Sequence, residues 1–186
     1  MITPMFNFTR EDDVWFTSDW HFGHDKPFIF DPRGFTSVEE MNNELLRRHN
    51  SAVSPEDHVY VLGDLIMGDA ANIKWVERMN GRLHIVLGNH DTPARETAYR
   101  NLPNAIEVVD ATKVKYGKWI FYCTHWPARV GNFEERHKFA NIHGHTHSPD
   151  RFQYISDYAY NIAPEAHNCT PVHAREIIED IKSLLL

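Results

Sequence analysis

Short apolar runs, each halted by a small or polar residue, recur through the first hundred positions. Val14-Trp15-Phe16-Thr17-Ser18 is β-prone and reads as a buried strand. His58-Val59-Tyr60-Val61-Leu62 reads as a second strand, stopped by Gly63, and Leu83-His84-Ile85-Val86-Leu87 as a third, stopped by Gly88. Helical spacing lies between them. Ser37-Val38-Glu39-Glu40 has the form of a capping box, and Val38, Met41, Leu45 and Leu46 then fall on one face of a helix ending near His49. Asp69 is predicted to cap a helix through Ile73, Val76 and Met79, closed by Gly81. Strand, helix, strand at this spacing is the mark of parallel pairing.

Beyond about Asn104 the pattern changes. Val114-Lys115-Tyr116 and Trp119-Ile120-Phe121-Tyr122 flank Gly117-Lys118 as a hairpin. Phe139 to Ile142 and Gln153 to Ile162 supply further strands. Thr170-Pro171 is expected to open a last helix with the apolar stripe Ile177, Ile178, Ile181 and Leu185. The expectation is one α/β domain over residues 1–186, mixed rather than purely parallel.

Composition narrows the class. A chain of 186 residues that is 42% hydrophobic and 12% aromatic can build a core, which sets disorder aside. Its two cysteines, Cys123 and Cys169, make no disulfide scaffold and no C-x-x-C pair. No run approaches the roughly 18 apolar residues of a membrane span. The N-terminus lacks a basic region followed by an apolar run, so the expected location is cytoplasmic. A net charge of −7 gives no basic field for nucleic acid or anionic membrane. Thirteen histidines are the departure that asks for chemistry, since imidazole is the commonest metal ligand and the usual proton carrier near neutral pH.

Many of those histidines sit where strands end. Asp19-Trp20-His21, Gly63-Asp64, Gly88-Asn89-His90-Asp91, Thr124-His125 and Gly144-His145-Thr146-His147 each follow a predicted strand. Ligands of open α/β sheets bind beyond the carboxyl ends of strands, so these tips can converge on one pocket. Alone, each cluster also reads as ordinary turn chemistry or a satisfied rim histidine. Their conjunction, in this order, does not.

The ordered set resembles the motifs of the calcineurin-like metallophosphoesterases, in particular small bacterial and phage members. The resemblance implies a four-layer α-β-β-α sandwich of two mixed β-sheets flanked by helices. It also implies two divalent transition-metal ions, Mn²⁺ first, with Fe, Zn²⁺ or Ni²⁺ as alternatives. Asp19, His21 and His147 would hold one ion, Asn89, His125 and His145 the other, and Asp64 would bridge them. His90 would be the catalytic histidine and Asp91 its orienting partner. Oxygen and imidazole donors without thiolate fit such metals. A metal pair can clamp a phosphoryl group and generate hydroxide for in-line attack on phosphorus.

Departures from the family pattern bear on substrate. The protein phosphatases of this superfamily continue the second motif as Gly-Asp-x-x-Asp-Arg-Gly, whereas this chain reads Gly63-Asp64-Leu65-Ile66-Met67-Gly68-Asp69. The phosphate-gripping arginine of that motif is absent. Arg33, Arg95 and Arg129 are candidates to replace it, with Arg33 and Arg129 assigned to substrate together with His24 of the Phe22-Gly23-His24 extension. Only 33 residues separate Asp91 from His125 and 19 separate His125 from His145, which leaves no room for a cap domain. The expected function is hydrolysis of a phosphate ester in an open cleft, diesters slightly ahead of monoesters, with a nucleotide or nucleic-acid end as candidate substrates and no membrane partner. The alternatives are a catalytically inactive scaffold binding protein partners, and a metal store, which would need no proton donor such as His90. Oligomeric state is not legible.

Overall fold

In the computed structural model, described for residues 5–128, 138–152 and 159–184, ten strands form two five-stranded sheets. The second sheet forms around the three buried strands foreseen: β2 (Val14–Thr17), β3 (His58–Leu62) and β4 (Arg82–Val86). These run parallel, joined at one edge by parallel β5 (Ala105–Val109) and at the other by antiparallel β10 (Val172–His173). The first sheet has the order β1 (Phe6–Phe8), β6 (Ala111–Tyr116), β7 (Trp119–Thr124), β8 (Phe139–His143), β9 (Ala159–Asn161). In it β6 and β7 are the antiparallel hairpin about Gly117-Lys118, and the other pairings are parallel.

Side-chain alternation explains how the sheets stack. On β3, Tyr60 and Leu62 join Phe16, Val114, Phe121 and Ile142 in a core between the two sheets. Val59 and Val61 face the opposite way, onto Met41, Leu45 and Leu46 of α2 (Val38–Ala52), Val76 of α3 (Ile73–Val76) and Tyr99 of α4 (Pro93–Arg100). With both faces covered, β2 to β4 read as continuous apolar runs rather than alternating ones. The flanking helices are shared unequally. A short α1 (Pro27–Phe30) adds Phe30 to the same helical layer, while α5 (Ala174–Ser183) lays Ile177, Ile178 and Ile181 against the inter-sheet core beside β10 and β2. No helix among the described residues is long and apolar enough to cross a membrane.

Several local expectations are corrected. Ser37 does cap α2, its Oγ accepting from the Glu40 N–H at 3.1 Å, but the Glu40 carboxylate reaches Thr36 rather than Ser37. Asp69 caps as expected, accepting from Ala71 N–H at 2.7 Å. The segment after it is a 3₁₀ turn (Ala70–Asn72) and one helical turn, not a full helix to Met79. Asn72 turns its amide back to the Met67 carbonyl, and Arg78 and Met79 close three-residue rather than four-residue bonds, tightening the chain out of α geometry. Thr170-Pro171 leads into a strand instead of a helix: Val172 and His173 pair with Phe16 and Trp15, and the His173 ring caps α5 by accepting from Arg175 N–H. The strand expected over Gln153 to Ile162 is seen as Ala159–Asn161; residues 153–158 and Leu185 lie outside the described residues.

Candidate metal centre and catalytic site

The strands β2, β3, β4, β7 and β8 end on one rim of the sandwich, and the loops leaving them carry the five predicted clusters. The chain at these tips is contorted. Asp19, His21, Asp64, His145 and His147 all adopt positive φ, between 48° and 69°. Non-glycine residues rarely sit there, because Cβ crowds the neighbouring carbonyl, and such strain persists where the surroundings hold it for a functional geometry. Among the described residues only Asn168 and Cys169 share this conformation without glycine. Two motif glycines serve close approach. A Cβ on Gly88 would collide with the Asp64 carboxylate, and one on Gly144 with the Asp19 carboxylate and Ser18.

The side chains converge on one another. His21 Nε2 and His147 Nε2 lie 3.2 Å apart, each about 4 Å from Asp19 Oδ1 (4.0 and 3.9 Å). On the other side, His125 Nε2 is 2.8 Å from Asn89 Oδ1 and 3.1 Å from His145 Nδ1. Asp64 Oδ2 stands between the groups, 3.9 Å from His21 Nε2 and 3.5 Å from His125 Nε2. All seven predicted ligands are therefore brought together. Two triads have ligand atoms mutually close enough for one ion: Asp19, His21 and His147, and Asp19, Asp64 and His125. Asp19 approaches His125 at Nδ1, 4.0 Å away, but that nitrogen bonds the Leu62 carbonyl at 2.9 Å. Asp64, which faces Nε2, is the better bridge.

Hydrogen bonds also orient the rings. His125 donates Nδ1–H to Leu62 O, which points its Nε2 into the cluster. That nitrogen meets Asn89 Oδ1 at 2.8 Å, which sets the candidate amide ligand against a candidate imidazole ligand. His147 directs Nδ1 at Glu165 Oε1, 3.0 Å away, leaving Nε2 free for the cluster. Asp19 spends Oδ2 on the His145 N–H at 2.8 Å, while its buried Oδ1 has no hydrogen-bond partner. Buried polar atoms are normally satisfied, so this orphan asks for a ligand.

Electrostatics point the same way. Burial raises the pKa of Asp19 and of Asp64, and nearby histidines only partly counter it. Burial, then the charge of His147, drives His21 far below the ordinary imidazole range; burial and His125 lower His145. On His147, burial acts downward but is outweighed by the bond to Glu165 and the charge of Asp19, so its pKa is raised. A buried pocket that crowds two carboxylates, each costly as a bare charge, against imidazole nitrogens suits divalent cations.

The remaining predicted residues divide. His90 is half exposed at the open face, with Nε2 4.0 Å from Asp64 Oδ2, its N–H bonded to Asp64 Oδ1 and its carbonyl held by Arg95. Asp91 does not orient the His90 ring. Its Oδ2 accepts the backbone N–H groups of Asp64 and Gly88, and its Oδ1 accepts the Tyr99 hydroxyl, because the turn aims adjacent side chains in different directions. His24 stands beside His21, with ring centroids 5.6 Å apart, and burial and His90 lower its pKa. Arg33, expected to meet substrate, is instead turned inward with a fully buried side chain, donating to the carbonyls of Asp19 and Trp20 and to Glu165. Arg129 lies outside the described residues. Sequence reasoning missed Glu165, in the 3₁₀ turn Pro164–Ala166, because no motif marks it. Two exposed large aromatics border the cluster, Trp126 edge-on to His125 at 5.0 Å and Phe28 edge-on to His24 at 5.5 Å.

Two packed mixed sheets with a histidine–carboxylate cluster across their strand tips define an α/β protein built around a polar, cation-seeking centre. Residues 13–161 match the model of the calcineurin-like phosphoesterase superfamily domain, and the chain belongs to that family. It is 29% identical over 178 residues to the uncharacterized protein MJ1445 of Methanocaldococcus jannaschii, covering 91% of each chain. It is 30% identical over 165 residues to the Gene 66 protein of Mycobacterium phage L5, covering 74% of this chain and 78% of that one. Among solved structures, the protein of unknown function AQ665 from Aquifex aeolicus superposes with a TM-score of 0.70 at 22% identity, over 90% of this chain and 98% of its own, a likeness of fold.

Proposed function

We propose that this chain is a two-metal phosphodiesterase acting in an open cleft, with Asp19, His21 and His147 on one ion, Asn89, His125 and His145 on the other, and Asp64 shared. The observation that carries the reading is the buried, unpartnered Oδ1 of Asp19 facing His21 Nε2 and His147 Nε2, with Asp64 Oδ2 set between His21 and His125. The donor set fits. It holds two carboxylates, an amide oxygen and four imidazoles, with no thiolate, and Mn²⁺ heads the candidates. When bound, such a pair supplies positive charge for the phosphoryl oxygens and acidifies a water to serve as nucleophile.

The chain's own residues do the rest. His90, half exposed beside Asp64, carries a proton at the mouth of the site and delivers it to the departing alkoxide. Its backbone is fixed from both sides, by Asp64 and by Arg95. Asp91 ties the Asp64 loop to the Gly88 loop, which sets the shared carboxylate against His125. His24 lines the same mouth. Trp126 and Phe28 flank it and offer faces on which a nucleobase stacks, so a nucleotidyl diester or nucleic-acid end is the proposed substrate.

Metal-stripped protein, reloaded with Mn²⁺, should hydrolyse bis-p-nitrophenyl phosphate faster than p-nitrophenyl phosphate, and Asp64→Asn should abolish both. Two bound Mn²⁺ per chain without hydrolysis of any phosphate ester would overturn the proposal in favour of a scaffold.

A further inference from the structure

Glu165 and Arg33 form a buried unit behind the site that no motif marks. Arg33 Nε donates to Glu165 Oε1 at 2.8 Å, Nη2 to the Asp19 carbonyl at 2.8 Å, and Nη1 to the Trp20 carbonyl at 3.1 Å. Glu165 Oε1 also faces His147 Nδ1 at 3.0 Å. One guanidinium therefore ties the loop that presents Asp19 and His21 to the carboxylate that orients His147. Glu165 Oε2 is buried with no partner, so the arrangement is not optimised for stability alone. Buried ion pairs are weak stabilisers, because desolvation offsets most of their attraction. The remainder of the Glu165 segment serves the same strand tip. Asn161, fully buried, donates to the carbonyls of Ser148 and Asp150 just past His147 and accepts from Ala163 N–H, fixing the chain that carries Glu165.

The other half of the cluster is braced differently. His125 is oriented by the Leu62 carbonyl, and Asp64 by the backbone of His90. Neither touches Arg33 or Glu165. We propose that Glu165, held by Arg33, is a positioning residue for one ion only: it keeps the proton of His147 on Nδ1 and turns Nε2, as a lone pair, toward Asp19 and His21. This rests on the two-metal reading above. A carboxylate behind a ligating histidine typically governs 10- to 100-fold in metal affinity.

The test is calorimetric titration of metal-free protein with Mn²⁺, with the histidine tautomers of the metal-free protein read by ¹⁵N NMR. Wild type is expected to show two sites and, at a pH high enough for His147 to be neutral, an Nδ1–H tautomer at that residue. Glu165→Ala is expected to weaken one site 10- to 100-fold, leave the other unchanged and lose the Nδ1–H signature. Glu165→Gln, whose side-chain oxygen still accepts from Nδ1, is expected to recover most of the affinity. Arg33→Met should weaken the same site as Glu165→Ala. Unchanged affinity at both sites in Glu165→Ala overturns the proposal. So does equal weakening of both sites with a lowered Tm, which is what a merely structural brace would give. If wild type takes fewer than two ions, the two-metal reading falls, while the His147 tautomer in Glu165→Ala still decides whether the brace exists.

Discussion

Replacing Asp91 separates two roles that adjacency in sequence makes look alike. If Asp91 oriented His90, Asp91→Asn would change the acid–base behaviour of turnover and leave the fold alone. Its contacts instead give it three hydrogen bonds away from that ring: Asp64 N–H at 2.9 Å, Gly88 N–H at 2.8 Å and Tyr99 O–H at 2.8 Å. Bonds to a charged acceptor contribute about 1.5–3 kcal/mol each and neutral ones about 1. Asparagine keeps one oxygen for the two N–H groups and turns its amide to the Tyr99 hydroxyl, so only the charge assistance is lost. That loss, about 0.5–2 kcal/mol per bond, comes to about 1.5–6 kcal/mol over the three, or at least about 3 °C in Tm for a chain of this size. Asp91→Ala removes all three bonds, leaves two backbone donors without a partner and costs more, about 4.5–9 kcal/mol. Thermal unfolding of both variants and of Tyr99→Phe gives the stabilities, and a double-mutant cycle with Tyr99→Phe should show coupling near 1 kcal/mol. The pH profile of kcat/KM on bis-p-nitrophenyl phosphate is the second readout. A Tm within 1 °C of wild type together with a displaced pH limb in Asp91→Asn would refute the reasoning and return Asp91 to His90.

Other outcomes follow from the same geometry. His90→Gln should lower kcat about 10²–10⁴-fold, the usual contribution of a positioned proton donor, while calorimetry still counts two Mn²⁺ per chain. Trp126→Ala should raise KM for a dinucleotide about 5- to 150-fold, the equivalent of about 1–3 kcal/mol of stacking, and leave KM for a diester without an aromatic group unchanged. His49 is fully buried against Trp20, and burial, only partly countered by its bond to the Asn80 carbonyl, holds its pKa down to about 4. Its folded pKa lies below its unfolded one, so the unfolded state takes up protons first: stability is constant above pH 6.5 and falls as pH drops from 6.5 toward 4, by about 3 kcal/mol from this group. His49→Gln keeps a donor for Asn80 and should make Tm fall less steeply across that window, His143 and His167, also held down to about 4 by burial, supplying the slope that remains.

What sequence could reveal here depended on whether the physical cause was local. The three central strands were legible because burial on both faces demands unbroken apolar runs, and His58–Leu62 matches residue for residue. The ligand cluster was legible because each strand tip carries its own metal-seeking residues, and parallel pairing brings the tips to one rim. Failures came where a distant partner decides. Val172-His173 became a strand because the free edge of β2 was there to pair with it, and β5 was missed because an edge strand with one weak face has little periodicity. Arg33 illustrates the limit most clearly. A loop arginine two turns from a metal motif reads as a solvent-facing substrate contact, and nothing near it in sequence contradicts that. Its fate is set by Glu165, 132 residues later, and by two backbone carbonyls that only the left-handed turn at Asp19 and His21 exposes to it. The same strained turn that aims the candidate ligands into the cluster thus turns the Asp19 and Trp20 carbonyls toward Arg33, where a buried cation satisfies them. Arg33→Met should therefore be more destabilising than Glu165→Gln: the first strands a carbonyl pair and a carboxylate, whereas the second keeps every bond but loses one charge. Equal losses of Tm in the two variants would mean that the carbonyls do not depend on the guanidinium and that the turn holds itself.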